Sequence, residues 1–157
     1  MDSEAFMPLL PDDLSIQIGR RVQNYADLVD SVVSELTSNH GADTKNLATG
    51  GSLSEYGRFF RLKGFGLFLV YSPRLWSRHG ETPLWLIVKE ITENQWEITP
   101  KVIDGLDRLP GNFRKVHDEE SSNIVGLDLP LQVEYSDVIS KIIDEIKTVC
   151  ETILISE

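Results

Sequence analysis

The sequence predicts an α+β domain, an antiparallel β-meander of about four or five strands packed against two long terminal helices. Three observations carry this expectation. Apolar residues recur at three- and four-residue steps near both ends of the chain. Between them, Tyr56 to Ile91 is built of strand-sized apolar or alternating pieces. Gly, Pro and Asn separate those pieces. A chain of 157 residues is one ordinary domain with room for a real core. Its expected plan is a flexible N-terminus over 1–11, a helix over 12–38, a sheet region over 55–129 and a closing helix over 134–155.

In the first helix, Asp12 and Asp13 follow Pro11 as N-cap and first-turn acid. Leu14, Ile18, Tyr25, Leu28, Val29, Val32 and Leu36 form its apolar stripe, with Gly19 a place for a break or kink. Asn39-His40-Gly41 is a good left-handed terminator. Gly41 to Ser54 reads as a flexible loop. Its Gly50-Gly51-Ser52 lacks the spacing and the Lys of a phosphate-binding loop.

Tyr56 to Lys63 reads as a half-exposed strand, Phe60 and Leu62 on one side, Arg61 and Lys63 on the other. A tight turn at Gly64 to Gly66 leads to a second strand, Leu67 to Ser72, ended by Pro73. Arg74 to Glu81 is a short helical turn or loop. Pro83 to Ile91 is apolar on both faces and so belongs in the middle of the sheet. Trp96 to Ile98 continues it after a turn at Glu93-Asn94. Thr99-Pro100 opens a short helix carrying Val102, Ile103, Leu106 and Leu109 inward. Asn123 to Leu129 supplies one more strand. Ser136 caps the last helix, whose stripe is Val138, Ile142, Ile146, Val149 and Ile153. The two terminal stripes pair either with each other or with a second copy of the chain.

Composition narrows the function classes. No apolar run approaches the roughly 20 residues a membrane span needs. Met1 to Leu10 carries Asp2 and Glu4 where a secretory signal would be basic. Cys150 is the only cysteine and sits on an apolar helical face, so neither a disulfide framework nor a thiolate metal cluster is expected. A reducing cytoplasm is the expected compartment. The net charge of −10 opposes global attraction to nucleic acid or anionic membrane. The charge is uneven, however. From Glu55 to Lys89 six basic residues (Arg58, Arg61, Lys63, Arg74, Arg78, Lys89) face two acids, Glu55 and Glu81.

Signals for catalysis are weak. His40, His79 and His117 lie in different segments without metal-ligand spacing. The acids Asp118, Glu119 and Glu120 beside His117 read as a solvated charge run. No Gly-x-Ser-x-Gly elbow is present. No catalytic residue, metal ligand or cofactor is therefore expected. The informative stretch interleaves basic residues with Tyr56, Phe59, Phe60, Phe65, Tyr71, Trp76 and Trp85. Guanidinium groups beside aromatic faces suit anions or acidic partner segments. The candidate binding residues are Arg58, Phe59, Arg61, Lys63, Arg74, Trp76, Arg78 and His79. Phe59 stands out because it shares the polar side of its strand with Arg61.

Tyr71-Ser72-Pro73-Arg74-Leu75-Trp76 and Gly80-Glu81-Thr82-Pro83-Leu84-Trp85-Leu86 resemble a C-terminal segment of bacterial, defence-associated restriction-endonuclease-like proteins of the PD-(D/E)xK type. Asn123 to Pro130 before the last helix is similar too. The resemblance spans Tyr56 to Ile153, and its specific part is Trp76 to Leu86. It implies a strand, a Trp-containing turn, a Thr-Pro-Leu-Trp strand and a closing helix, in a bacterial defence setting. The nuclease triplet, an acid two residues before Lys, is missing: Ile87 precedes Lys89 and Arg61 precedes Lys63. The resemblance therefore implies no catalytic residue here.

The expected function is a non-enzymatic interaction or regulatory module of a bacterial or phage defence system. It would bind a protein, or locally an anionic ligand or nucleic acid, through a basic-aromatic strand face. Two alternatives stay open: an acidic inhibitor that mimics nucleic acid, and an atypical metal-dependent nuclease.

Overall fold

The computed structural model describes residues 14–45, 47, 49–52, 55–79, 82–110, 114–115, 123–127, 129 and 134–155. The expected N-terminal segment 1–11, the capping pair Asp12 and Asp13 and the His117 acidic run lie outside them. So do the side chains of residues 14–23, and with them Leu14 and Ile18.

Helix α1 runs unbroken from Leu14 to Asn39, through Gly19. Tyr25, Leu28, Val29, Val32, Val33 and Leu36 are buried, as the stripe requires. At its end Gly41 turns left-handed (φ 81°), which lets the Ala42 N–H return to the Leu36 carbonyl at 3.1 Å.

The strands are β1 (Thr49–Ser52), β2 (Glu55–Leu62), β3 (Phe65–Tyr71), β4 (Leu84–Thr92), β5 (Gln95–Glu97), β6 (Arg114–Lys115) and β7 (Ile124–Gly126). They pair in the order β1-β2-β3-β4-β7-β6, with β5 also on β4, and every pairing is antiparallel. The expected meander is β2-β3-β4, and β4 is central. β1 corrects the loop expected over Gly41 to Ser54. Its Thr-Gly-Gly-Ser sequence has no strand pattern, and backbone pairing to β2 makes it a strand. The β2–β3 and β4–β5 hairpins turn on consecutive positive-φ residues, Lys63-Gly64 and Glu93-Asn94, which matches the right-handed twist of their strands.

Three short-range devices fix the remaining elements. Ser72 caps α2 (Pro73–His79), its Oγ accepting from Leu75 N at 3.2 Å. Thr99 caps α3 (Pro100–Asp107), accepting from Val102 N at 3.3 Å and donating to Glu90 Oε1 at 2.8 Å. The last helix, α4, spans Tyr135–Ile155. It begins one residue before the expected cap, Ser136, because the Glu134 carbonyl already accepts from Asp137 N and Val138 N.

Helices α1, α3 and α4 cover one face of the sheet. Phe60, Leu62, Phe65, Leu67, Leu69, Leu84, Leu86, Val88 and Val125 meet their stripes there in one core. Tyr25 stacks on Tyr71 at 4.4 Å, tying α1 to β3. The described part of the α1 stripe, from Leu28 to Leu36, and the α4 stripe pack into this one core within the chain. Side chains at both ends hold β4 against β7: Thr82 Oγ1 donates to the Leu127 carbonyl at 2.6 Å and Asn123 Nδ2 to that of Val88 at 3.0 Å. Among the described residues no helix is long and apolar enough to cross a membrane.

Candidate interaction face

Side chains alternate across a strand, so residue parity decides which face each candidate reaches. On β2 the even residues Tyr56, Arg58, Phe60 and Leu62 point to the helices. The odd residues Gly57, Phe59 and Arg61 point away. Cross-strand register carries the second set through Phe59↔Phe68↔Ile87 and Arg61↔Gly66↔Lys89. Trp96 joins this face from β5, opposite Ile91.

One end of the outer face is covered. Leu75 of α2 packs on Val70, Trp85 and Ile124, with Phe68 and Ile87 at the border. The other end carries a half-buried aromatic cluster. Phe59 and Phe68 stack at 4.2 Å, and Phe59 meets Trp96 edge-on at 6.0 Å. Two glycines make the room. A Cβ on Gly57 would fall 2.5 Å from the Phe68 ring, and one on Gly66 would fall 2.2 Å from the indole of Trp96. Phe59, Gly66, Phe68, Ile87, Lys89 and Trp96 line a cavity of about 220 Å³.

The expected basic residues are dispersed around this cluster, and several are neutralised. Arg58 lies on the helix side, 3.2 Å from Asp30 of α1. Arg61 is on the outer face but is held by Asp43 at 3.3 Å and by the Lys45 carbonyl at 2.9 Å. Lys63 is exposed at the hairpin tip, and Arg74 pairs with Glu55 at 3.6 Å. Trp76 and Arg78 are exposed on α2, on the same side of the sheet as Phe59. His79 ends α2, and its side chain lies outside the described residues. Lys89 forms no ion pair with a described acid, and it lines the cavity. Phe68, Ile87, Lys89 and Trp96 were absent from the sequence-based candidate set. Parity counting outward from Phe59 reaches the first three only once the strand register is known.

On the helix side Tyr56 donates to Asp30 Oδ1 at 2.6 Å, beside the Arg58 contact to the same oxygen. Burial, followed by the bond to Asp30 and its charge, pushes the phenol from 10.0 up to about 12. The stabilising contribution of this phenol is therefore complete below pH 10.0, declines above it and is lost once pH passes about 12. Tyr56→Phe is expected to lose less stability than the wild type across that window, read by denaturant melts at stepped pH. An equal loss in both proteins would mean that neither burial nor Asp30 raises the Tyr56 phenol in the folded state. An open groove of about 470 Å³ runs beside this site, lined by Asp30, Ser31, Ser34, Glu35 and Ile139. Its Asp30 is held by Tyr56 and Arg58, and Ser31 by Tyr135 Oη at 3.1 Å.

Among the described residues no group of three or more His, Cys, Asp or Glu could hold a metal ion. Cys150 is buried in the core, and burial pushes its thiol up to about 12, away from the reactive thiolate. No protein-family model, curated protein or solved structure matches this chain.

Proposed function

We propose that this chain is a non-enzymatic interaction module that binds a partner protein through the open end of its outer sheet face. The observation that carries the reading is the aromatic cluster of Phe59, Phe68 and Trp96, left half-buried on the side away from the long helices. Aromatic anchors beside a small cavity are the usual centres of binding energy in protein interfaces. Trp76, 43% exposed on α2, extends the aromatic surface along the same side. The cavity, about 220 Å³, is below the roughly 300–1,000 Å³ of small-molecule sites and matches one inserted side chain.

Nucleic acid fits this face less well. Phe59 and Phe68 cover one another's ring faces, whereas base stacking needs open ones. Four acids are matched locally rather than free to stand in for phosphates: Asp30, Asp43 and Glu55 face arginines, and Glu145 faces Lys141 at 4.0 Å. The bacterial defence setting belongs to the same proposal through the Trp76 to Leu86 resemblance, and gene neighbourhood tests it separately.

The direct test is comparative capture from source cells, using the wild type and a Phe59→Ser/Trp96→Ser double variant of unchanged far-UV circular dichroism. Arg58→Gln, on the opposite face, is the control. The double variant should lose the captured partner and Arg58→Gln should keep it. Retention by the double variant would remove this face from the function.

A further inference from the structure

Resting on the interaction-face reading, we infer that the occupant is a short acidic-apolar protein segment. One aromatic or aliphatic side chain enters the cavity between Phe59, Phe68, Ile87 and Trp96, and a neighbouring carboxylate meets Lys89.

Charge and size select this occupant. Four of the six cavity residues, Phe59, Phe68, Ile87 and Trp96, are apolar, and Gly66 forms the floor under the indole. Such a lining favours an apolar group, and the volume limits it to one side chain. Lys89 is the single cation in the lining, on the central strand, between the Phe68–Ile87 rung and the start of the β5 hairpin. A half-buried lysine beside apolar rings gains from one anionic partner, because a charge there is screened less than at an open surface. Arg61, across Gly66 on the same rung, is taken up by Asp43 and the Lys45 carbonyl, so the cavity's own cation is Lys89.

The same charges disfavour other occupants. A second copy seated face to face by two-fold symmetry would bring Lys89 toward its equivalent, between two bodies of net charge −10. A nucleic acid strand binds through several phosphate contacts, and the lining of this cavity offers one cation, Lys89, on a molecule of net charge −10. A single carboxylate next to an apolar anchor matches one cavity and one lysine.

The experiment is an NMR titration of the full chain with three capped peptides, Gly-Phe-Glu-Gly, Gly-Phe-Gln-Gly and Gly-Phe-Lys-Gly. The Trp96 indole N–H, assigned by its loss in Trp96→Phe, is the reporter. The Glu peptide should move this signal and bind about fivefold more tightly than the Gln peptide, the size of one half-exposed ion pair. The Lys peptide should bind most weakly. Lys89→Gln should erase the preference and Lys89→Arg should keep it, each with an unchanged amide spectrum elsewhere. Equal binding of all three peptides would overturn the acidic preference and leave the interaction face standing. No shift at Trp96 with any peptide would remove both. A concentration-dependent shift without peptide would make a second copy the occupant, and tighter binding of a single-stranded oligothymidylate would make it nucleic acid. Either result overturns the inference.

Discussion

Replacing Phe60 with alanine is expected to destabilise the fold by about 3–5 kcal/mol, while the same change at its neighbour Phe59 costs about 1 kcal/mol. Phe60 is 0% exposed and packs in the core between β2 and the long helices. Its removal takes a ring out of close packing and leaves a cavity that helices anchored at several points cannot close. Phe59 stands on the opposite face, half-buried, and loses chiefly its stack on Phe68. For a domain of this size the Phe60 change lowers the melting temperature by roughly 6–20 °C. The two variants separate stability from binding: Phe60→Ala weakens the protein everywhere, and Phe59→Ala leaves it folded with a damaged face. A reversed order, with Phe59→Ala the costlier change, would mean that β2 is paired one residue out of register, since such a slip exchanges its two faces.

Much of this architecture is legible in the sequence because burial imposes periods. The α1 and α4 stripes repeat at helical spacing, and both helices lie where that spacing puts them. The continuous apolar run of Leu84 to Val88 marks a strand covered on both sides, and β4 is that strand: Leu84, Leu86 and Val88 meet the long helices while Trp85 lies under α2. β1 is not legible, since Thr-Gly-Gly-Ser has no apolar side chain whose burial would set a period. The candidate face is half legible. Phe59 and Arg61 follow from alternation along β2. Arg58 has the same parity as Phe60 and so belongs on the helix side, where Asp30 receives it. In Arg58-Phe59-Phe60-Arg61, charges flanking two aromatics conceal that parity. Trp96 is the hardest to foresee, because its place over Gly66 depends on the register of β5 on β4 and of β4 on β3. Those are long-range pairings, and no local pattern encodes them.

Gly105 to alanine should destabilise this protein by about 1 kcal/mol net, and Gly105 to valine by about 3 kcal/mol. The sign is the informative part, because glycine to alanine inside a helix ordinarily stabilises by about 1 kcal/mol. Here α3 crosses α4 at Gly105, and an added Cβ would fall 2.7 Å from both the Cα and the Cγ1 of Ile153. A clash with the far end of a flexible side chain is relieved by rotation. The Ile153 Cα belongs to a buried helix backbone and cannot rotate away, so α3 itself has to move. Asp104→Ala, one residue earlier and exposed, is the control and should stay within about 0.5 kcal/mol of the wild type. The displacement also has a route to the candidate face. Only Ile98 and Thr99 separate α3 from β5, and Thr99 is hydrogen-bonded to Glu90 of β4. Near-UV circular dichroism should therefore register a change in the setting of Trp96 for the glycine variants and none for Asp104→Ala. If Gly105→Ala instead raised stability, α3 would have slack against α4, and the position of β5, with Trp96 on it, would not depend on the helical layer.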